Sequence, residues 1–342
     1  MQRDRRARVA EPTRGARHTA VAHDGKEAAQ RSQIRNHAVP SIKVARAYDP
    51  GHRISRATPQ CARQDCLAGP YPHPVTTPTI LDPDSNSYYR PLGNGRYLPT
   101  LHVQGAWNDH EQHMSPVGGL IAHELMRHEP RADMQLARIN FEILGLIPAQ
   151  DTHISVTTIR PGRTIELLEA TLTIGERVIV RARAWRLSRQ DTSAVAAVEL
   201  PSMPPPDECT AYNPTQEWPG AFLASLRMKA VPGGRAGRRS VWVQSTKTLV
   251  EGVDVDPLAS YAMLIDTANG IATRVRPHEM MYPNVELSVH LFRNPDAQWV
   301  GLDTCVTFGE SGIGLTSTTL GDIHGPVGRS EQCLTVRDLP TG

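Results

Sequence analysis

Apolar and polar positions first follow a helical period and then a strand period. Behind the pair Ser115-Pro116, the apolar positions of residues 117–125 recur three to four apart, and the pattern stops near His128. This predicts a short buried helix. The alternating, strand-like runs that follow it are 136–143, 153–160, 164–174 and 177–187.

The same order recurs in the second half of the chain. Two strand-like runs come first, at 222–229 and 241–244. Asp256-Pro257 then opens a longer apolar stripe that runs to residue 272. The strand-like runs after the stripe are 285–292, 299–308, 314–320 and 327–336. A helix followed by antiparallel strands, twice, predicts an α+β fold and not a doubly wound one. We therefore predict a double hotdog, in which two long helices are each wrapped by an antiparallel sheet and the two sheets are continuous.

Composition separates the first 80 residues from the rest. They hold 14 Lys and Arg against 6 Asp and Glu, with one Leu and neither Phe nor Trp. So little apolar surface cannot offset the entropy of ordering, and we expect residues 1–80 to be a disordered basic tail. Its arginines lack interleaved aromatics, so a solvated tail is favoured over a nucleic-acid-binding arm. Prolines predict a linker at 200–220, between an N-terminal hotdog at 81–199 and a C-terminal one at 221–342.

Neither a membrane segment nor a metal site is expected. The chain has no run of about 18 apolar residues and no apolar secretion signal, so we expect a cytoplasmic protein without a membrane partner. Its five cysteines lack metal-type spacing. His123 and His128 point apart on a helix, and His110 and His113 are expected in loop or capping roles. The sequence leaves open whether the chain forms a homo-oligomer.

Several motifs stand in a fixed order along residues 85–337. The first half has Gly105-Ala106-Trp107-Asn108, Gly118-Gly119-Leu120 and Pro161-Gly162-Arg163. The second half has Asp266-Thr267-Ala268-Asn269-Gly270, Asn284-Val285-Glu286, Gly312-Ile313-Gly314 and Ser330-Glu331-Gln332. In this order the motifs resemble the TesB-like acyl-CoA thioesterase family of double-hotdog proteins. The resemblance implies a hydrolase that cleaves acyl-CoA thioesters with activated water, without a covalent intermediate or a cofactor.

The family's catalytic set is an Asp on the second helix, a Ser or Thr on the next strand and a Gln on the last strand. The resemblance implies Asp266 as the general base, with Gln332 helping to hold the water. The hydroxyl position departs from the family, because Asn284 stands there and Ser288 is the nearest hydroxyl, so both remain candidates. The residues themselves also favour a functional Asp266, since a carboxylate in an apolar helix is costly to bury without partners.

Substrate-binding residues are expected at two kinds of position. Gly118 and Gly119 would let an acyl carbonyl approach a helix closely, and a helix N-terminus supplies donors for the oxyanion. Because CoA carries phosphates, the strand-end arginines Arg160, Arg163 and Arg293 are candidates for binding them.

Two other functions fit the same fold. One is a double-hotdog protein that binds acyl-CoA without turnover, as a sensor or a carrier-interaction module. The other is an acyl-CoA hydratase or dehydratase, which needs a histidine beside the carboxylate. The sequence disfavours this second alternative, because the segment around Asp266 contains no histidine before His278.

Overall fold

The computed structural model describes residues 81–339, so the predicted basic tail at 1–80 lies outside the described residues. The first-half elements are β1 (Ser87–Gly93), β2 (Arg96–Pro99), α1 (Met114–Arg127), β3 (Met134–Ile143), β4 (Thr152–Arg160), β5 (Ile165–Ile174) and β6 (Arg177–Ser188). The second-half elements before the site are β7 (Thr210–Tyr212), α2 (Ala221–Ala224), β8 (Leu226–Ala230), β9 (Arg238–Ser245), β10 (Thr248–Val250), α3 (Pro257–Ala262) and α4 (Ala268–Ile271). They are followed by β11 (Met280–Met281), β12 (Glu286–Leu291), β13 (Val300–Phe308), β14 (Ile313–Asp322), β15 (Gly325–Thr335) and β16 (Arg337–Asp338).

The alternating pattern predicted the long strands well. All eight long runs that follow the two helical stripes are strands, with ends that differ by no more than two residues. The run at 222–229 is a partial error, because its first residues form α2 before β8 begins. Phe222 and Leu223 are adjacent and both buried, which a helical turn permits and an alternating strand does not.

One sheet of 14 strands runs through both halves, in the order β10-β1-β2-β4-β5-β6-β3-β12-β15-β14-β13-β9-β8-β7. The halves meet where β3 pairs antiparallel with β12, with Asn140 opposite Ser288. One face of each long strand is buried against the helices, as in β5, where Leu168, Ala170 and Leu172 are buried. In the described part of the chain, no helix is long and apolar enough to cross a membrane.

The strand register repeats between the halves. Pairs in β4, β5 and β6 recur in β13, β14 and β15 at positions 148 residues further along the chain. Examples are Leu168 with Ala184 against Thr316 with Gln332, and Val156 with Ala170 against Thr304 with Thr318. The sheet is therefore internally duplicated, and paired positions of β3–β6 have counterparts in β12–β15.

The helices do not repeat in the same way, and the prediction of two long helices is wrong for the second half. α1 has 14 residues, whereas the later stripe breaks into α3, a 3₁₀ turn at Ile265–Thr267, and α4. The buried Arg186 on β6 pairs with Glu166 and donates to the carbonyls of Leu125 and His128 at the end of α1. Its counterpart 148 residues on is Leu334, which has no donor to offer.

Candidate active site

Asp266 lies in the 3₁₀ turn between α3 and α4, and its side chain is almost fully buried. Its Oδ1 accepts a hydrogen bond from Nδ2 of Asn284 at 2.8 Å and a second from Nε2 of Gln332 at 2.8 Å. Asn284 stands two residues before β12, and Gln332 is a fully buried residue of β15. The fold thus brings together three of the four residues that the sequence nominated for catalysis.

The two oxygens of Asp266 have different surroundings. Oδ1 holds both amide donors, while Oδ2 has no hydrogen bond to another residue in the range 81–339. Burial raises the pKa of Asp266 to about 6, although the donors on Asn284 and Gln332 lower it in part. At neutral pH the group is therefore ionised, with one oxygen fixed and the other available to accept a proton.

A histidine from the first half faces Oδ2. His113 is the N-cap of α1, as its expected capping role predicted, and its Nδ1 accepts the backbone N–H of Ser115 at 3.0 Å. The same Nδ1 lies 3.6 Å from Oδ2 of Asp266. Burial lowers the pKa of His113 to about 4, so the ring is neutral and carries its proton on Nε2. Sequence reasoning missed this neighbour of Asp266.

A cavity of about 360 Å³ opens beside Asp266 and is lined by both halves. His113, Asn284 and Asp266 are among its polar lining residues. Much of the rest is apolar, and Trp107 and Trp218 meet edge to face there at 5.0 Å between ring centroids. Such a cavity, apolar with a few convergent polar groups, is the usual form of a small-molecule site.

Glu111 shapes one wall of this cavity. Its carboxylate accepts the backbone N–H groups of Trp107 and Asn108, at 3.2 and 3.1 Å, and so closes the loop that carries Trp107. A side chain at Gly105 would come within 2.7 Å of Glu111, which explains the glycine. The pKa of Glu111 is raised, chiefly by burial. The segment Glu111-Gln112-His113 is part of the family resemblance, which implies no role for Glu111.

The fourth catalytic candidate lies elsewhere. Ser288 stands at the junction of β3 and β12, where its hydroxyl donates to Glu286 at 3.0 Å and accepts from Asn140 at 2.9 Å. It does not line the cavity. Of the two candidates for the family's hydroxyl position, Asn284 is therefore the one that contacts Asp266.

The candidate glycines lie on α1 but not on the cavity. A Cβ at Gly119 would overlap the Cβ of Met263, because α1 and the end of α3 approach closely there. Gly118 faces the same seam, near Ala262 and Phe141. The two glycines are thus explained by helix packing.

The candidate arginines are also outside the cavity lining. Arg293 forms a bidentate ion pair with the buried Asp322, at 2.6 Å for each hydrogen bond. Arg160 donates to the carbonyl of Ile165, and the carbonyl of Arg163 accepts a hydrogen bond from Arg131. The donors of Arg160 and Arg293 thus serve the protein itself.

Although the sheet is duplicated, the hydrogen-bonded carboxylate site occurs only in the second half of the described residues. The counterparts of Asn284 and Gln332, 148 residues earlier, are Leu136 and Ala184, which are both buried and apolar. Their strand partners correspond as well, since Asn284 bridges to Leu334 as Leu136 pairs with Arg186. The first half therefore lacks these amide donors, and contributes His113 and the cavity wall to the second half's carboxylate.

Comparisons with known proteins agree with this architecture. Two family models match, one described as the acyl-CoA thioesterase N-terminal domain over residues 103–187 and the other as the C-terminal domain over residues 200–336. Together they cover well over half of the chain, in the order that the duplication requires. No curated protein matches the chain in sequence.

Solved structures share the fold at low sequence identity. A hotdog-fold protein from Alicyclobacillus acidocaldarius is 14% identical, with a TM-score of 0.59 over 75% of this chain and 98% of that one. Acyl-CoA thioesterase II TesB2 from Mycobacterium marinum is 17% identical, with a TM-score of 0.53 over 73% and 96% of the two chains. The fold is thus a hotdog fold. With both thioesterase domain models matched in order, the chain belongs to the TesB-like acyl-CoA thioesterase family.

Proposed function

We propose that this protein hydrolyses acyl-CoA thioesters with a water molecule activated by Asp266. The observation that carries the proposal is the difference in hydrogen bonding between the two oxygens of the Asp266 carboxylate. Oδ1 is held by two amide donors, while Oδ2 has no hydrogen bond within residues 81–339, and Asp266 lines the cavity. A carboxylate with a pKa of about 6, raised by burial, is a stronger base than an exposed aspartate and is still ionised at neutral pH.

The proposed reaction is a direct attack of water on the thioester carbonyl. Oδ2 takes a proton from the water as its oxygen bonds to the carbonyl carbon. The carbonyl oxygen becomes an oxyanion, which the backbone N–H of Met114 and the positive end of the α1 dipole would stabilise, since Met114 lines the cavity. The carbon–sulfur bond then breaks, and the proton passes to the leaving thiolate, giving the free acid and CoA.

Asn284 and Gln332 are positioning residues in this proposal. Their side-chain amides fix the carboxylate plane through Oδ1 and leave Oδ2 for the water. The side-chain oxygen of Gln332 is buried and has no partner within the described range, so it is available to accept a hydrogen bond from the same water.

The test is the release of free CoA thiol from short, medium and long acyl-CoA thioesters by the full chain. We expect release by the wild type and none above background from Asp266→Asn. Ser288→Ala is the matched control, because its hydroxyl bonds to Glu286 and Asn140 and not to the site. If the wild type releases no CoA while acyl-CoA raises its melting temperature, the protein is a binding module and the proposal fails.

A second function is favoured by one contact. The 3.6 Å separation of His113 Nδ1 and Asp266 Oδ2 supplies the histidine that a hydratase or dehydratase needs, from the opposite half of the chain. In such a reaction the pair adds the oxygen of water to Cβ of a 2-enoyl thioester and its proton to Cα. Loss of the enoyl absorbance without release of a thiol would support this function, and thiol release alone would exclude it.

A further inference from the structure

The cavity carries a single arginine or lysine in its lining, and it is not one of those that the sequence nominated. Arg337 is exposed, and within residues 81–339 its guanidinium has neither a hydrogen bond nor an ion pair. Arg293, by contrast, gives its donors to Asp322 and nearby carbonyls. An unpaired guanidinium fork on the lining of a site is free to bind an anion.

The backbone holds Arg337 at a defined distance from the carboxylate. It follows Gln332 by five residues of nearly continuous strand, which spans at most about 17 Å. The pairing of Arg337 with Met281 and the bond from Val336 N–H to the Gly312 carbonyl fix the end of this segment. Arg337 and Asp266 thus line the same cavity, and the backbone separation of Arg337 from Gln332 is one that an extended pantetheine arm can span.

The other charges of the cavity determine where an anion can lie. Glu111 and Asp266 are both acidic, so they repel a phosphate from the inner part of the site. The apolar wall at Trp107 and Trp218 suits an acyl group and not a charged one. Arg337 is therefore the one cationic side chain of Lys or Arg in this lining that can bind a phosphate.

We propose that Arg337 binds a phosphate of the carrier that delivers the acyl group, whether that carrier is CoA or a phosphopantetheine arm. This inference rests on the proposed function for the position of the thioester. It predicts that the contact contributes to substrate binding and not to the chemical step, because the phosphate is remote from the carbonyl.

The test compares Arg337→Gln with the wild type on three thioesters of one acyl group: acyl-CoA, acyl-phosphopantetheine and acyl-pantetheine. For a phosphate-bearing substrate we expect a KM about tenfold higher, the loss of one charge-assisted hydrogen bond, with kcat unchanged. Acyl-pantetheine should show no change. Arg337→Lys should restore part of the loss. Arg329→Gln, on β15 and outside the cavity lining, is the matched control.

The three substrates separate the outcomes. A loss on acyl-CoA alone supports the proposal with a nucleotide phosphate as the source, and a loss on acyl-phosphopantetheine as well supports it with the phosphate next to pantetheine. An equal loss on all three, or no loss on any, overturns it. Calorimetric binding of free CoA gives an independent test. If the wild type has no turnover, the proposed function fails, and a Kd for CoA that Arg337→Gln leaves unchanged overturns the Arg337 proposal separately.

Discussion

Replacing Asp266 by asparagine should remove activity and at the same time stabilise the protein. The carboxylate is buried, and its pKa is raised by burial from 3.8 to about 6, so the folded state holds the ionised form at a cost. A pKa that differs by one between the folded and unfolded states corresponds to about 1.4 kcal/mol, so the cost at pH 8 is on the order of 3 kcal/mol. Asparagine is neutral, so the variant has no such cost of burying a charge.

The asparagine also fits the existing hydrogen bonds. Its oxygen can take the place of Oδ1 and accept from Asn284 and Gln332 as before. Its amide group then takes the place of Oδ2, 3.6 Å from Nδ1 of His113. Because that nitrogen already accepts from the backbone N–H of Ser115, the amide group donates instead to water in the cavity that residue 266 lines. The substitution therefore leaves no buried donor opposed to another donor.

The pH dependence identifies the cause. A group whose pKa is raised in the folded state contributes most stability below its unfolded pKa, and that contribution is lost as the pH rises through the folded pKa. The stability gap between Asp266→Asn and the wild type should thus be largest at pH 8 and shrink between pH 6 and pH 4. Equilibrium urea unfolding at pH 8, 6 and 4.5 measures this gap.

The exposed Asp84 supplies the matched control, since Asp84→Asn should change the free energy of unfolding by no more than about 0.5 kcal/mol at any of these pH values. A variant Asp266→Asn that is less stable than the wild type at pH 8 would refute the reasoning. So would a gap that is the same at pH 8 and pH 4.5, because then the buried charge is not its source.

Three further predictions follow from the same geometry. The kcat/KM for an acyl-CoA should fall about tenfold per pH unit below pH 6, because burial raises the pKa of Asp266 to about 6; a profile flat down to pH 4.5 would contradict this. Gln332→Ala should lower kcat by about 10²-fold or more, whereas Ser288→Ala should leave it within about twofold, as measured by CoA release; equal effects would contradict the placement of the two residues. Gly119→Ala should lower the free energy of unfolding by about 1–3 kcal/mol by forcing α1 from Met263, whereas Gly145→Ala meets no neighbour; similar values for the two variants would contradict the packing account.

The sheet was predictable from the sequence because its signal is local. In a strand with one buried face, alternate residues are apolar, and the eight long runs show that pattern over seven to eleven positions. The candidate residues Asp266 and Gln332 came from the resemblance, which located both by their neighbouring motifs. The structure adds the reason that Asn284, and not Ser288, contacts the carboxylate.

The break in the second helix was not predictable in this way. Its apolar stripe from residue 257 to 272 is continuous, so periodicity alone predicts one long helix. The break lies at Ile265–Thr267, the turn in which Asp266 accepts hydrogen bonds from Asn284 and Gln332. The apolar periodicity of the chain does not show which strand residues contact a helical segment.

Two features of the site depend on residues far apart in the chain. His113 and Asp266 meet because the halves pack together, and no spacing along the sequence relates them. The sequence could not rank the arginines for a similar reason. Strand-end arginines are common, and only the fold reveals that Arg293 is occupied by Asp322 while Arg337 lines the cavity.

The most direct measurement of the central claim is a single turnover of an acyl-CoA in H₂¹⁸O, with enzyme in excess and the product acid analysed by mass spectrometry. If water activated by Asp266 attacks the thioester directly, the acid from the first turnover carries one ¹⁸O and the protein carries none. Unlabelled acid in the first turnover, with ¹⁸O found in the side chain of Asp266, would mean that the carboxylate attacks the carbonyl itself and would contradict the account.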